Sequence, residues 1–442
     1  MGNSELIYNC GNDFVMLAGW DLVFFLTHAP CAIPMHALIF EPQFVGHNLV
    51  YVRHMIQALR RIGVDITLLT SRQASESEEF TKHLGEFASQ FNLSVSDLFS
   101  DSRKSRGIRV NGPGGVFCAL RAILDGLKSC RPDHFYLPFG NPLAHALGVP
   151  NPISKYLRKE QIESEIILLF GKYAYAHKDL ASRAKQELAL RLLANGPWTR
   201  IHHIVPHAID VMHSHRSRLP QIAHLLADPV DPPPSAMSKS QARSMLGLCQ
   251  DSSYVSLLGL IDQRKGVGDL LAAAQRLEAS KTKILLAGKN SQEARQLLAG
   301  KYRSLVENGK VLVRDEHLSP TQLWAACIAS DLITTPYPNH RYSASILIRA
   351  AAVGVPVLAN RIGWMGDVTE RYALGWTCPT QNPVLFASKI HEVLDRAEVY
   401  TPSAASRQFV EFHTLANFQS QITDHISKRL AFSIGQVTQS HC

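Results

Sequence analysis

From His36 onward, short β-rich runs alternate with stretches whose apolar residues recur at helical spacing. HALIFE reads as a strand and EPQFVGHN as a loop containing Gly46. Leu49, Val52, Ile56 and Leu59 then form one face of a helix, and VDITLLT is the next strand. DHFYLPF, SEIILLF and RIHHIVPH continue the series as strands, with helical stretches between them. Strands alternating with helices imply a parallel sheet built from βαβ units. The second half repeats the alternation more cleanly: YVSLLGLI, TKILLAG, KVLVRDE, DLITTPY and VPVLAN are five strands with intervening helices. The fold class expected is α/β, with two Rossmann-like doubly wound domains facing a central cleft. Ligands of such domains bind at the carboxyl ends of the strands.

Between the halves, ADPVDPPPSAMSKS clusters prolines and small polar residues, which cannot lie inside a helix or a central strand. The expected organisation is an N-terminal extension over 1–34, a first domain over 35–226 and a linker over 227–250. A second domain over 251–415 and a C-terminal helix and tail over 416–442 complete it. The apolar stretch before residue 35 is broken by Asp21, His28 and two prolines and lacks a basic n-region, so it fits neither a secretory signal nor a span. MHALIFEPQF reads directly as a first strand and loop, which makes Met35 a candidate true start; a membrane-associating arm is the alternative.

Composition narrows the class. A chain of 442 residues suits two domains, and 46% hydrophobic with 19% charged residues is ordinary for a globular protein. The net charge of +8 is spread along the chain, so no nucleic-acid footprint is expected. Eight cysteines without a C-x-x-C pair read as reduced thiols in a cytoplasmic protein. The histidines of HHIVPHAIDVMHSH do not suggest a metal: on a strand, His203 and His207 share a face but lie roughly 13 Å apart. Arg103, Lys104, Arg106 and Arg109 group before a Pro-Gly turn, either as a solvated loop or as a contact for acidic headgroups or a phosphorylated acceptor.

Two loops at strand carboxyl ends carry the candidate chemistry. In GLIDQRKGVGDLL, Arg264 and Lys265 sit in a strand-to-helix turn, while Gly266 and Gly268 let backbone approach a ligand. Unpaired N–H groups at a helix start favour phosphate, and an adjacent ammonium makes a diphosphate site. A solvated basic turn is the alternative. In HRYSASILIRAAAVGVPVLAN, Ser343 or Ser345 can cap a helix on which Arg349 falls one turn beyond Ser345.

From Asp251 to about Asp395, the order of ARSMLGL, LLGLIDQRKGVGDLLAAA, ASDLITTPY and AAAVGVPVLAN resembles the donor domain of retaining glycosyltransferases of family 4, which have the GT-B architecture. FVGHNLVYVRHMIQALRRIGVDITLLT resembles the acceptor domain of that family. The resemblance implies transfer of a sugar from a nucleoside diphosphate to an acceptor with retained configuration, without a bound metal or cofactor. It assigns the charge developing on the departing diphosphate to a cation and helix-terminal amides. By resemblance, Lys265, Arg264 and Gly46 are the catalytic candidates. His47, Gly259, Gly266, Gly288, Ser343, Ser345 and Arg349 are the donor-binding candidates.

The chain departs from the family pattern at several points. Leu260 stands where an arginine usually follows Gly259, leaving Arg264 to compensate. No family-type histidine follows DHFYLPFG, where Tyr136 and Pro138 stand. Both motif glutamates are replaced, by Arg341 and Arg349. A guanidinium has five donors and no acceptor, so Arg349 cannot accept from ribose hydroxyls. A phosphate-binding role for it, alone or with Ser343 and Ser345, is the alternative. The expected function is a metal-independent glycosyltransferase of cell-surface polysaccharide or glycolipid assembly. Its partners would be a nucleotide-sugar donor and a glycan or lipid-linked acceptor, without nucleic acid. It would be cytoplasmic, with a peripheral contact at the inner membrane face left open. A non-catalytic GT-B protein that binds a ligand or a partner is the competing reading.

Overall fold

A computed structural model describes residues 35–44, 48–99, 110, 112–171, 174, 179–277, 281–397 and 400–439, with side chains to 428. Gly46, His47, the basic group 103–109 and the segment before residue 35 lie outside the described residues.

The first sheet contains β1 (His36–Phe40), β2 (Asp65–Ser71), β3 (Asn92–Ser96), β4 (His134–Leu137), β5 (Glu163–Leu168), β6 (Arg200–His203) and β7 (Ala223–Leu225). Their order is β3-β2-β1-β4-β5-β6-β7, parallel throughout. The second contains β8 (Ser253–Leu258), β9 (Thr282–Ala287), β10 (Val311–Arg314), β11 (Leu332–Thr335), β12 (Val357–Asn360) and β13 (Gly375–Cys378), in the order β10-β9-β8-β11-β12-β13 and again parallel. In each sheet the order reverses between the first strand and the fourth, β1/β4 and β8/β11. The crevice beyond the carboxyl ends of those strands is the natural ligand position. The central strands are buried on both faces, as parallel sheets flanked by helices require: Leu38, Ile39, Leu257, Leu258, Ile284 and Leu286 are essentially inaccessible.

Two strands of the first sheet and one of the second escaped the pattern reading. β3 and β13 are edge strands, and β7 has three residues. The side chains of β3 are mostly exposed, so they form no apolar run. RIHHIVPH is only half strand: β6 stops at His203, whose Nδ1 accepts from the Val205 amide at 2.9 Å, and Pro206 opens the helix Pro206–His213. His203 and His207 therefore do not share a strand face. A proline at a helix start loses no hydrogen bond, which is why the chain turns there.

The segment 227–250 is partly helical. Ser238 and Gln241 form a capping box at the start of the helix Lys239–Met245, and Arg243 on it pairs with Asp331 beside β11. The C-terminal helix Leu415–Gln439 returns to the first domain, where Phe418 packs edge-on against Tyr51 of the helix Asn48–Arg61. A bridge between Val230 and Thr414 places the two interdomain crossings side by side. Among the described residues no helix is long and apolar enough to cross a membrane. Cys118, Cys130, Cys249, Cys327 and Cys378 are free thiols.

Candidate functional site

The turn after β8 is built from local residues. Gly259 leaves the strand at φ +89°, where a side chain would be strained and its Cβ would meet the Lys265 amine at 2.8 Å. Asp262 then accepts from the Lys265 amide at 3.0 Å, closing a short 3₁₀ turn over Gln263–Lys265. Gly266, at φ +75°, hands the chain to the helix Val267–Ala274; a Cβ there would lie 2.5 Å from the Pro336 carbonyl beyond β11. Gly288 at the end of β9 backs onto the same place, its Cβ position 1.9 Å from the Gly259 carbonyl. Gly259, Gly266 and Gly288 thus let three backbone segments converge at the β8/β11 crevice.

Lys265 lies within that convergence. Its amine donates to the Leu258 carbonyl at 2.5 Å and sits 5.7 Å from the Tyr337 ring centroid. Burial pushes its pKa down from 10.5 to about 8, with Arg264 adding to the depression and Asp262 opposing it. An ammonium has three donors. With one committed to Leu258, the others are free to meet an anion. Arg264 is about half exposed and leans toward Asp262 at 3.5 Å, so it stands outside the buried pocket.

The helix Ser345–Ala352 differs from expectation at its start. Ala344 is its N-cap and no side chain caps it, so neither Ser343 nor Ser345 acts as the predicted cap. The Ser343 hydroxyl instead donates to Asp228 at 2.5 Å, and Tyr51 of the first domain donates to the other Asp228 oxygen at 2.7 Å. Long-range acceptors of higher charge outcompete a local cap, since hydrogen bonds to carboxylate are roughly twice as strong as neutral ones.

Arg349 lies with its guanidinium carbon 4.8 Å from the Trp324 ring centroid and its Nη2 4.0 Å from Asp231, which also faces Arg53 at 3.7 Å. Its Nε has no partner among the described residues. Burial holds its pKa below the usual value, against the attraction of Asp231. Arg341 sits apart: its backbone accepts from the Trp364 amide at 3.3 Å, and Gly363 must lack a Cβ to pass it.

Several contributors were not legible in the pattern. Asp228 and Asp231 of the crossing hold Ser343 and Arg349 in place. A ladder of rings runs from Tyr337 through His340 and Tyr342 to Phe170 and Phe139 of the first domain, with centroids 5.1–5.9 Å apart. Phe139 and Phe170 follow the carboxyl ends of β4 and β5, so the ladder bridges the two sheets. Glu41, immediately after β1, is fully buried; burial raises its pKa to about 8 against hydrogen bonds from Gln43 and Asn48. A buried carboxyl at a strand end was signalled in the sequence only by its position, directly after HALIF.

The histidines of HHIVPHAIDVMHSH take separate partners. His202 meets Glu165, His213 meets the Ala223 carbonyl, and His215 meets Ser217.

Comparisons with known proteins agree with this architecture. Residues 253–396 match the family model described as Glycosyl transferases group 1. A glycogen synthase of Mycobacterium tuberculosis is 28% identical over 154 residues, 34% of this chain and 35% of its own length. The chain thus spans about a third of the length of the curated relatives it matches. Anabaena HepE in complex with UDP superposes with a TM-score of 0.64 at 12% identity, covering 89% of this chain and 100% of that one. Sucrose-phosphate synthase from Thermosynechococcus elongatus gives 0.62 at 15% identity, covering 90% and 99%. The lipopolysaccharide glycosyltransferase WaaG gives 0.56 at 14% identity, covering 89% and 99%. The fold is GT-B: two parallel-sheet Rossmann-like domains, the second carrying the segment that matches the glycosyl transferases group 1 model.

Proposed function

We propose that this protein transfers a sugar from a nucleoside-diphosphate donor to a glycan or lipid-linked acceptor, with retention of anomeric configuration. The observation that carries the reading is Lys265. It is a buried ammonium at the carboxyl end of β8, on the sheet's switch point; among the described residues no carboxylate is hydrogen-bonded to its amine, and Asp262 acts on it only at a distance. A buried cation is costly unless an anion completes it, and a diphosphate supplies that anion. As the bond between sugar and diphosphate breaks, negative charge grows on the leaving oxygens, and a preplaced ammonium stabilises that charge without reorganising. Anabaena HepE was solved with UDP and with UDP-glucose, which makes uridine donors the first to try. The ring ladder between Tyr337 and Phe139 offers faces on which an acceptor sugar or a base can stack. The reading places the protein in the cytoplasm, in assembly of a surface glycan, with no metal or cofactor in the transfer step.

A second reading has its own observation. Arg349 is engaged with Trp324 and Asp231 and cannot accept from a ribose, which favours a GT-B protein that binds without turnover. One screen separates them. The full-length chain is tested for thermal stabilisation by UDP, GDP, ADP and TDP, and then for turnover of the matching nucleotide sugars. A melting shift with one diphosphate, loss of that shift in Lys265→Ala, and donor hydrolysis or transfer support the enzyme. A shift without turnover favours the binding protein, and no shift with any nucleotide rejects the donor site.

A further inference from the structure

On the amino-terminal side of the first sheet, away from the carboxyl ends of its strands, the C-terminal helix lays His425 against the starts of two central strands. His134 opens β4, Glu163 opens β5, and the two are register partners across the parallel pair. His134 Nδ1 lies 3.9 Å from Glu163 Oε2, and His425 Nε2 lies 3.8 Å from the same oxygen. The three ligand atoms all fall within 4.8 Å of one another. His425 Nε2 is also 2.6 Å from Glu165 Oε1, and the other Glu165 oxygen is hydrogen-bonded to His202 Nε2 at 2.7 Å. His134, Glu165 and His202 are buried and His425 nearly so, while Glu163 reaches solvent.

We propose that His134 Nδ1, His425 Nε2, Glu163 Oε2 and Glu165 Oε1 form a binding site for one divalent transition-metal cation, with zinc the best chemical fit. Two imidazoles and two carboxylates are a borderline donor set suited to zinc, whereas magnesium and calcium take oxygen ligands in greater number. In a tetrahedral zinc site with bonds of about 2.0–2.1 Å, the ligand atoms lie about 3.3 Å apart. The separations of 3.8 and 3.9 Å close by roughly half an ångström to reach that spacing, and the 2.6 Å contact opens by about 0.7 Å. Glu165, which stands outside the group of atoms within 4.8 Å of one another, has to turn further than the other three side chains to reach the ion.

The surroundings support the assignment. His202 orients Glu165 as an outer-shell partner orients a metal-bound carboxylate. A divalent cation also balances two carboxylates that would otherwise share a largely dry site. The role is structural. His134 and Glu163 are the first residues of their strands, whereas Lys265 lies beyond the last residue of its own. The ion ties the helix that returns from the second domain to the sheet of the first, closing the chain from residue 134 to residue 425. The sequence hid this set because it spans 291 positions, from His134 to His425, and none of its members lies in the histidine-rich stretch.

The test uses the full-length chain, stripped with a chelator and titrated with ZnCl₂ by calorimetry and thermal unfolding, with Co²⁺ as a spectroscopic substitute. The expected result is one zinc per chain, a melting temperature raised by several degrees, and the visible bands of tetrahedral Co²⁺. Glu163→Gln and His425→Gln should each weaken zinc binding by about 100-fold while the far-ultraviolet dichroism stays unchanged. Should His425→Gln loosen the helix, Glu163→Gln, at the partly exposed position, decides alone. A chain that takes up no zinc overturns the proposal. Zinc binding with undiminished affinity in Glu163→Gln also overturns it, because the ion then sits elsewhere.

Discussion

Replacing Lys265 by methionine should make the unliganded protein more stable and the liganded protein less so. Burial lowers the lysine pKa from 10.5 to about 8. At 1.36 kcal/mol per pH unit, carrying the charge in the folded state costs about 3 kcal/mol at pH 7. The folded state binds fewer protons than the unfolded one only between pH 8 and 10.5. The cost is therefore fully present below pH 8 and fades as pH rises through that window. Methionine follows the lysine side chain as far as its ε-carbon but forfeits the bond to the Leu258 carbonyl, about 1 kcal/mol. The net gain at pH 7 is roughly 2 kcal/mol, or about 4–8 °C for a domain of this size. A nucleoside diphosphate at about 100 times its Kd stabilises the native protein by about 2.7 kcal/mol and Lys265→Met by almost nothing, so excess ligand reverses the order. Differential scanning calorimetry at pH 7 and pH 10, with and without nucleotide, reads all of this. A variant less stable than the native chain at pH 7 without ligand would refute the argument, as would an equal nucleotide shift in both proteins.

Four further outcomes follow from named contacts. Asp228→Ala strands the hydroxyls of Tyr51 and Ser343 and should cost about 2–3 kcal/mol in urea unfolding, with the domains separating earlier. Gly288→Ala places a Cβ against the Gly259 carbonyl at φ +136° and should cost about 3 kcal/mol or more, measured as a fall in melting temperature. Glu41 has its folded pKa raised to about 8, so its contribution is complete below pH 4.5 and is lost as pH rises toward 8; Glu41→Gln should flatten that decline, worth about 3 kcal/mol at pH 7, in unfolding curves at pH 5 and 7.5. Arg349→Ala removes a mostly buried side chain from the face of Trp324 and should cost about 1–2 kcal/mol in urea unfolding, its long ion pair with exposed Asp231 adding little, and should weaken nucleotide binding at least about tenfold by calorimetry; unchanged affinity would favour the reading without turnover.

Apolar periodicity alone determined much about this protein. The long buried runs, from HALIF in β1 to VLAN in β12, specified a parallel α/β chain in two halves, and the prolines after Ala227 marked the crossing between them. The glycine-flanked RK pair marked the turn after β8, because a strand-to-helix turn with positive φ has its own local chemistry. β3 and β13 were missed because edge strands need only one covered face, and their residues carry no uninterrupted apolar signal. Only the tertiary structure decided that Lys265 folds back to Leu258, that Ser343 reaches Asp228 instead of its own helix, and that His425 meets Glu163 and Glu165. Those contacts join residues up to hundreds of positions apart. Periodicity records which face of an element is buried, but which partner a polar group meets there depends on how the finished chain closes.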